Sequence, residues 1–300
     1  IAVTDLKIEK DSKKKKNKKD KPLAFAWRGE AASATRVPDG TYCLSFRGRY
    51  ENGNSPESPP IKILVDSTPP DLEIAADLNV RQFTPDGDGE NEEQAFRLSA
   101  SDLSQIASYT LAIDEVLPEE KSVKLIPVRR FQGQGEIPLT IFWDGKADSG
   151  TAVESLTQYQ YTLTSTDIYG NTATTAPKRF ETGILAPAAG NAFAIRLPNI
   201  DLENIANERL SLLYNVLSKY PKYKIKIEVH AASSVGIEKT LRLTEAAARR
   251  IYDFLVDKGI AAERIGYQGF GDSMPVYNTR GPFAAKNRRV ELTILSIDKN

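Results

Sequence analysis

Cysteine is nearly absent: Cys43 is the only one in 300 residues. That excludes an internal disulfide and a cysteine-built metal site. Histidine is as scarce. His230, the only one, ends a strand-like stretch with no serine, cysteine or acidic partner that spacing assigns. No Gly-x-Ser-x-Gly elbow occurs, so a Ser/His/Asp hydrolase is not read here. Net charge is missing too. Forty basic and forty acidic residues cancel, leaving no global field to draw nucleic acid or an anionic membrane. No apolar run reaches the ~18–20 residues that span a bilayer, so no transmembrane segment is expected. No signal-peptide pattern opens the chain, and Ile1 is not an initiator methionine; a mature or trimmed form is expected.

What is present suits two or three domains, at ~100–200 residues each. The first half is rich in Pro, Gly, Asp and Thr, the composition of short strands and many turns. It also repeats itself. Trp27-Arg28-Gly29 lines up with Trp143-Asp144-Gly145, and Ala, Ser, Thr and Val recur in register as far as Val37 and Val153. One residue out of step, Tyr42-Cys43-Leu44 then matches Tyr159-Gln160-Tyr161, and Gly53-Asn54 matches Gly170-Asn171. Tyr159, Tyr161 and Leu163 alternate with Gln160, Thr162 and Thr164, which predicts a half-buried antiparallel strand. A hairpin turn at residues 167–171 and a returning strand over 172–180 follow. In the first copy, Tyr42, Leu44 and Phe46 share one strand face, leaving Cys43 as an inert thiol on the other.

Short strands in repeats of ~100 residues point to tandem β-sandwiches of immunoglobulin-like type. Residues 70–183 also resemble the Ig-like modules of flagellar hook-cap and gliding-type surface proteins. The shared features are the run from Phe83 to Gly89, Trp143 to Gly145, and Tyr159 to Asn171. The expected division is a partial Ig-like sandwich over 1–68, a complete one over 69–183, a Gly/Ala/Pro-rich linker over 184–191 and an α/β domain over 192–300. Trp27 and Trp143 are expected to anchor sandwich cores. The lysines between 10 and 21 read as a solvated hairpin tip between strand-like stretches at 3–8 and 23–27. Asp86, Asp88 and Glu90, in an Asp-Gly-rich turn, are the one arrangement offering calcium ligands. Asn91 and Arg97 break the EF-hand pattern there. No cofactor is implied.

The last third changes rhythm. Apolar residues at helical spacing predict a helix over 203–220, capped by Asp201 and stopped by Pro221, and another over 240–258, ended by Gly259. Strands are read over 224–230, at 265–267 and over 289–295. A two-layer α/β module follows, with its helices on one side of the sheet.

Gly269-Phe270-Gly271, Pro275, Asn278 and then Asn287-Arg288-Arg289-Val290-Glu291 resemble, in that order, the tail of the OmpA-like module shared by OmpA, Pal and MotB. The resemblance covers residues 192–298. It implies a non-enzymatic protein working at the cell envelope, in the bacterial periplasm or at the outer membrane, with peptidoglycan or envelope proteins as partners and no nucleic acid. In that family an Asp and an Arg clamp the ammonium and carboxylate of diaminopimelate, since a bidentate guanidinium matches a carboxylate. Carried onto this chain, the clamp Asp becomes Ser233 and the clamp Arg becomes Ala247, while Asn287 and Arg288 remain from the pocket rim. Arg250, three residues on, is the candidate to compensate. The altered clamp resembles OmpA-like proteins of spirochaetes, whose walls carry a different diamino acid. Wall binding is therefore expected to be weak, altered or absent. The alternative is a scaffold, or an adhesin acting through its Ig-like domains.

Overall fold

A computed structural model describes residues 27–295, apart from 32, 34, 51, 78–82, 119–121, 187–192 and 233–235. The lysine run and the strand-like stretch at 3–8 lie outside the described residues.

The first described unit is an antiparallel ribbon of β1 (Gly40–Leu44) and β2 (Ile61–Val65). Its ladder is extended by bonds such as Gly48 N–H to Pro56 O and Tyr50 N–H to Asn54 O, which place residues 52–53 at the tip. The two repeat copies make the same local bonds. Trp27 Nε1 donates to Glu30 O at 2.7 Å, and Trp143 Nε1 to Lys146 O at 2.8 Å. Val37 N–H reaches Gly29 O as Val153 N–H reaches Gly145 O, and both glycines sit at φ +74°, a conformation that favours glycine. Their burial differs. Trp143 is 1% exposed, whereas Trp27 is half-buried and Leu44 and Phe46 are exposed. The expectation that both tryptophans anchor cores holds only for Trp143. Among the described residues, no second sheet covers the β1–β2 ribbon.

The second unit has two antiparallel sheets. One is ordered β3 (Asp71–Ala76), β4 (Gln94–Ser101), β7 (Thr140–Trp143). The other runs β10 (Lys178–Glu181), β8 (Gln158–Asp167), β5 (Ile106–Pro118), β6 (Val123–Gln134), with β9 (Thr172–Thr174) also on β8. Ile74, Phe96, Leu98 and Trp143 of the first sheet share one core with Leu111, Ile113, Tyr159, Tyr161, Leu163 and Phe180 of the second. The strand expected over 172–180 is instead two strands. Pro177 has no N–H to continue the ladder, and Thr175 closes the gap through its N–H to Leu163 O and its Oγ1 to Leu163 N–H.

The α/β module is a four-stranded sheet ordered β11 (Phe193–Pro198), β14 (Arg289–Leu295), β12 (Lys224–His230), β13 (Ile265–Gly269), with only β12–β13 parallel. Helices α1 (Asn207–Leu217) and α2 (Ile237–Asp257) cover one face. Ile225, Ile227, Val229, Leu292 and Ile294 from the sheet meet Leu213, Leu217, Ile251 and Leu255 from the helices in one core. The first helix starts later than expected: Asp201 Oδ1 accepts from Glu203 and Asn204 N–H, capping a turn that precedes it. The second starts three residues earlier than expected, at Ile237, and Gly259 (φ +98°) follows its end. Strand β11 was not expected at all.

The core runs on across the boundary between sandwich and module. Leu156, Ile184 and Ala186 belong to the module's cluster, although 184 and 186 fall in the expected linker. Ala186 N–H is held by Asp86 Oδ2 at 2.7 Å. No helix among the described residues is long and apolar enough to cross a membrane.

Candidate ligand site of the α/β module

The glycines of the tail motif mark where the sheet meets α2. A Cβ on Gly269 would stand 2.3 Å from Glu245 N, so only glycine lets β13 approach the helix backbone this closely. Gly271 N–H then donates to Thr244 Oγ1 at 2.9 Å, and Ala231 N–H to Gly271 O at 2.7 Å. These bonds fix the end of β12. Ser233 itself lies outside the described residues.

Ala247 is 2% exposed and packs in the module's core. The position where the resemblance expects a guanidinium is thus filled by a methyl group in apolar surroundings. Arg250 points elsewhere: its Nη2 donates to Ile205 O at 2.9 Å, just before α1. It lines the groove between the helices together with Arg249, Asp253 and Asp257.

Of the two rim residues, Asn287 is spent within the fold. Asn287 is buried; its Oδ1 accepts from Val276 N–H and Tyr277 N–H at 2.8 Å each, and its Nδ2 donates to Tyr277 O at 2.9 Å. Arg289 is buried as well, bound to Glu291 at 2.8 Å and to Asn287 O. Arg288 is exposed. Lys286, just before them, is nearly fully buried between two sandwich carboxylates. Its Nζ lies 2.8 Å from Glu115 Oε1 and 2.5 Å from Glu154 Oε2, and Tyr277 OH also donates to Glu154. Burial, then the Glu154 bond, push the Tyr277 hydroxyl well above its ordinary value. Lys286 was not picked out from sequence, because nothing in local spacing marks a partner 171 residues away.

Two other clusters carry ligand-type atoms. On the sheet face away from the helices, Glu228, His230 and Glu291 converge within 4.8 Å. Burial raises the Glu291 carboxyl, but hydrogen bonds from Arg289 and Arg196 outweigh it and hold the group below its usual range. Glu228 pairs with Lys226, so cations of the chain already occupy this cluster. In the Asp-Gly turn, Asp86 and Asp88 converge with Glu92, not with the expected Glu90. Their oxygens accept main-chain N–H groups of Ala186, Asp88, Glu90 and Gly89, which is the work of a turn. The turn faces α1 across a cleft of about 370 Å³ that includes Lys219 and Tyr220.

Residues 199–289 match the OmpA family. The chain carries an OmpA domain. Over 122 residues it is 28% identical to the probable lipoprotein YiaD of Escherichia coli (strain K12), covering 38% of this chain. The match spans 56% of that protein, so the chain covers little more than half of its length. Among solved structures, the cell wall anchor of the T6SS from Pseudomonas aeruginosa is 20% identical, with 38% of this chain and 88% of that one covered and a TM-score of 0.33. An outer membrane protein from Borrelia burgdorferi B31 is 26% identical, covering 38% of this chain and 98% of that one, with a TM-score of 0.30.

Proposed function

We propose that this chain is a non-enzymatic cell-envelope protein whose OmpA domain has lost the diaminopimelate clamp. The domain serves mainly as a structural platform joined to an Ig-like sandwich, on the periplasmic side of the envelope. The observation that carries this reading is Ala247, a buried methyl group where the clamp needs a guanidinium. The rim supports it, since Asn287 spends both side-chain polar atoms on the 276–277 backbone. Losing one partner of a desolvated ion pair costs about 2–5 kcal/mol, and even the lower figure is roughly thirtyfold in affinity.

Two measurements test the reading: co-sedimentation with purified peptidoglycan sacculi, and calorimetry with free diaminopimelate. No retention and no heat of binding at micromolar ligand are expected. Micromolar affinity would overturn the loss of the clamp and restore wall attachment as the function. A scaffold role is favoured over an altered wall-binding site because the segment holding the family's rim is docked on the sandwich through Lys286.

A further inference from the structure

Lys286, Glu115, Glu154 and Tyr277 meet in one nearly closed site between the OmpA domain and the sandwich. Lys286 and Glu115 are each 5% exposed. Lys286 Nζ donates to Glu154 Oε2 at 2.5 Å and stands 2.8 Å from Glu115 Oε1. The Phe283 ring closes one side, its centre 5.0 Å from Nζ. Tyr277 OH donates to the other Glu154 oxygen, Oε1. One ammonium thus serves two carboxylates, one acid more than an ion pair needs. A second carboxylate buried beside the pair is costly to the fold, and packing alone does not explain it.

Each group is placed for one part of an acyl transfer. The Lys286 nitrogen touches the Glu154 carboxyl, so a nucleophile is held against its target. Tyr277 OH stands where negative charge gathers on Oε1 as the Glu154 carboxyl carbon becomes tetrahedral. Glu115 lies within hydrogen-bond reach of Nζ, also 3.0 Å away at Oε2, and can take its protons. Burial holds the Glu115 carboxyl above its ordinary value; Lys286 opposes the shift and Glu154 adds to it. A base that carries a proton for part of a reaction is served by that shift.

We propose that Lys286 and Glu154 join in an intramolecular amide that fastens the OmpA domain covalently to the sandwich. The Lys286 nitrogen bonds to Glu154 Cδ, and the Cδ–Oε2 bond breaks. An ammonium and a carboxylate become one amide and one water. One ammonium proton stays on nitrogen; the other two leave with Oε2, relayed by Glu115, which ends as it began. Nothing is oxidised or reduced, and no co-reactant enters. Glu154 is the acyl partner, and Glu115 the base, because Tyr277 polarises Glu154. Amide condensation is disfavoured in dilute water, but groups held in contact reach effective molarities of ~10⁵–10⁸ M, and a closed site keeps water from reversing the step. The bond joins residues 132 positions apart, so it closes a long loop of the unfolded chain. The step occurs once per chain without turnover, so it stands beside the non-enzymatic reading.

The test is the intact mass of the full chain after folding and denaturation, followed by peptide mapping. A mass about 18 Da below that of the sequence is expected, the loss of one water on amide formation. A single branched peptide should carry Lys286 and Glu154. Lys286→Arg keeps the positive charge without the nucleophile, and Glu115→Gln removes the base; both should keep the full mass. The proposal fails if the wild-type chain keeps its full mass. It fails equally if the missing water maps to Asp-Gly pairs such as Asp86-Gly87, which lose water by closing on their own backbone. An amide to Glu115, or a Glu115→Gln chain that links as the wild type does, would also overturn it. The wild-type mass decides the matter even where a variant does not fold.

Discussion

Lys286 Nζ lies 2.8 Å from Glu115 Oε1, joining the OmpA domain to strand β5 of the sandwich. With Glu154 at 2.5 Å, one ammonium serves two carboxylates in a nearly closed site. Burial holds the Glu115 carboxyl above its ordinary value; Lys286 opposes the shift and Glu154 adds to it. Replacing Lys286 with Met leaves a buried carboxylate pair without its cation, and should cost about 3–5 kcal/mol at neutral pH. The sign with pH is fixed. Removing the cation raises the Glu115 carboxyl further, so the folded variant binds a proton that the unfolded chain, titrating near 4.5, does not. Stability of the variant therefore recovers as pH falls from 7.5 toward 5. Urea melts at the two pH values check this, and a deficit equal at both would refute it.

Gly269→Ala should be one of the most damaging small substitutions in the OmpA domain. The added Cβ would meet Glu245 N at 2.3 Å and Thr244 C at 2.6 Å, both backbone atoms that cannot swing aside. Forcing β13 away from α2 also strains the Gly271 N–H to Thr244 Oγ1 bond. A loss of about 2–3 kcal/mol is expected. Gly266, on the same strand, is the control: its Cβ would approach nothing nearer than Ile225 O at 4.0 Å, so Gly266→Ala should cost less than about 1 kcal/mol. Equal losses at the two positions would mean that the close approach is not what the glycine serves.

Much of this architecture was legible because its signals are periodic. Ile225, Ile227 and Val229 alternate and are all buried, and Ala247, Ile251 and Leu255 recur at helical spacing on the buried stripe of α2. What escaped was not periodic. Strand β11 is short and follows directly on the stretch that reads as a linker, and Ile184 and Ala186, within that stretch, reveal their burial only through contacts with distant residues. The candidate site divides the same way. The identity of residue 247 was plain, and with it the missing charge. The role of Asn287 was not, since a residue that contacts ligand and one that holds a neighbouring loop occupy the same place in a motif.

Asn287→Ala separates those roles. The substitution strips acceptors from two backbone N–H groups and a donor from Tyr277 O, in a buried setting. A stability loss of about 2–4 kcal/mol is expected in denaturant melts. Retention on sacculi should not change relative to the wild type. A variant that melts normally yet alters wall binding would return Asn287 to the ligand.

His230 should make the fold sensitive to mild acid. Both of its ring nitrogens are buried without partners, and the ring stacks on Phe270 at 5.2 Å. Burial, and then the nearby Arg289, push its pKa below the usual 6.5, so the folded ring stays neutral where the unfolded one takes a proton. The unfolded state then binds more protons below about pH 6.5, and stability falls as pH drops through that window toward the folded value. One proton sets the limit at ~1.4 kcal/mol per pH unit. His230→Phe keeps the ring stack and removes both the titration and the orphaned nitrogens. It should flatten the decline between pH 6.5 and 5 and leave neutral-pH stability equal or higher. The carboxyl of Glu291, held below its usual range, loses its contribution only at lower pH, in wild type and variant alike, so it does not mask the difference. Parallel decline of both proteins across this window would show that His230 is protonated in the fold and has found a partner there.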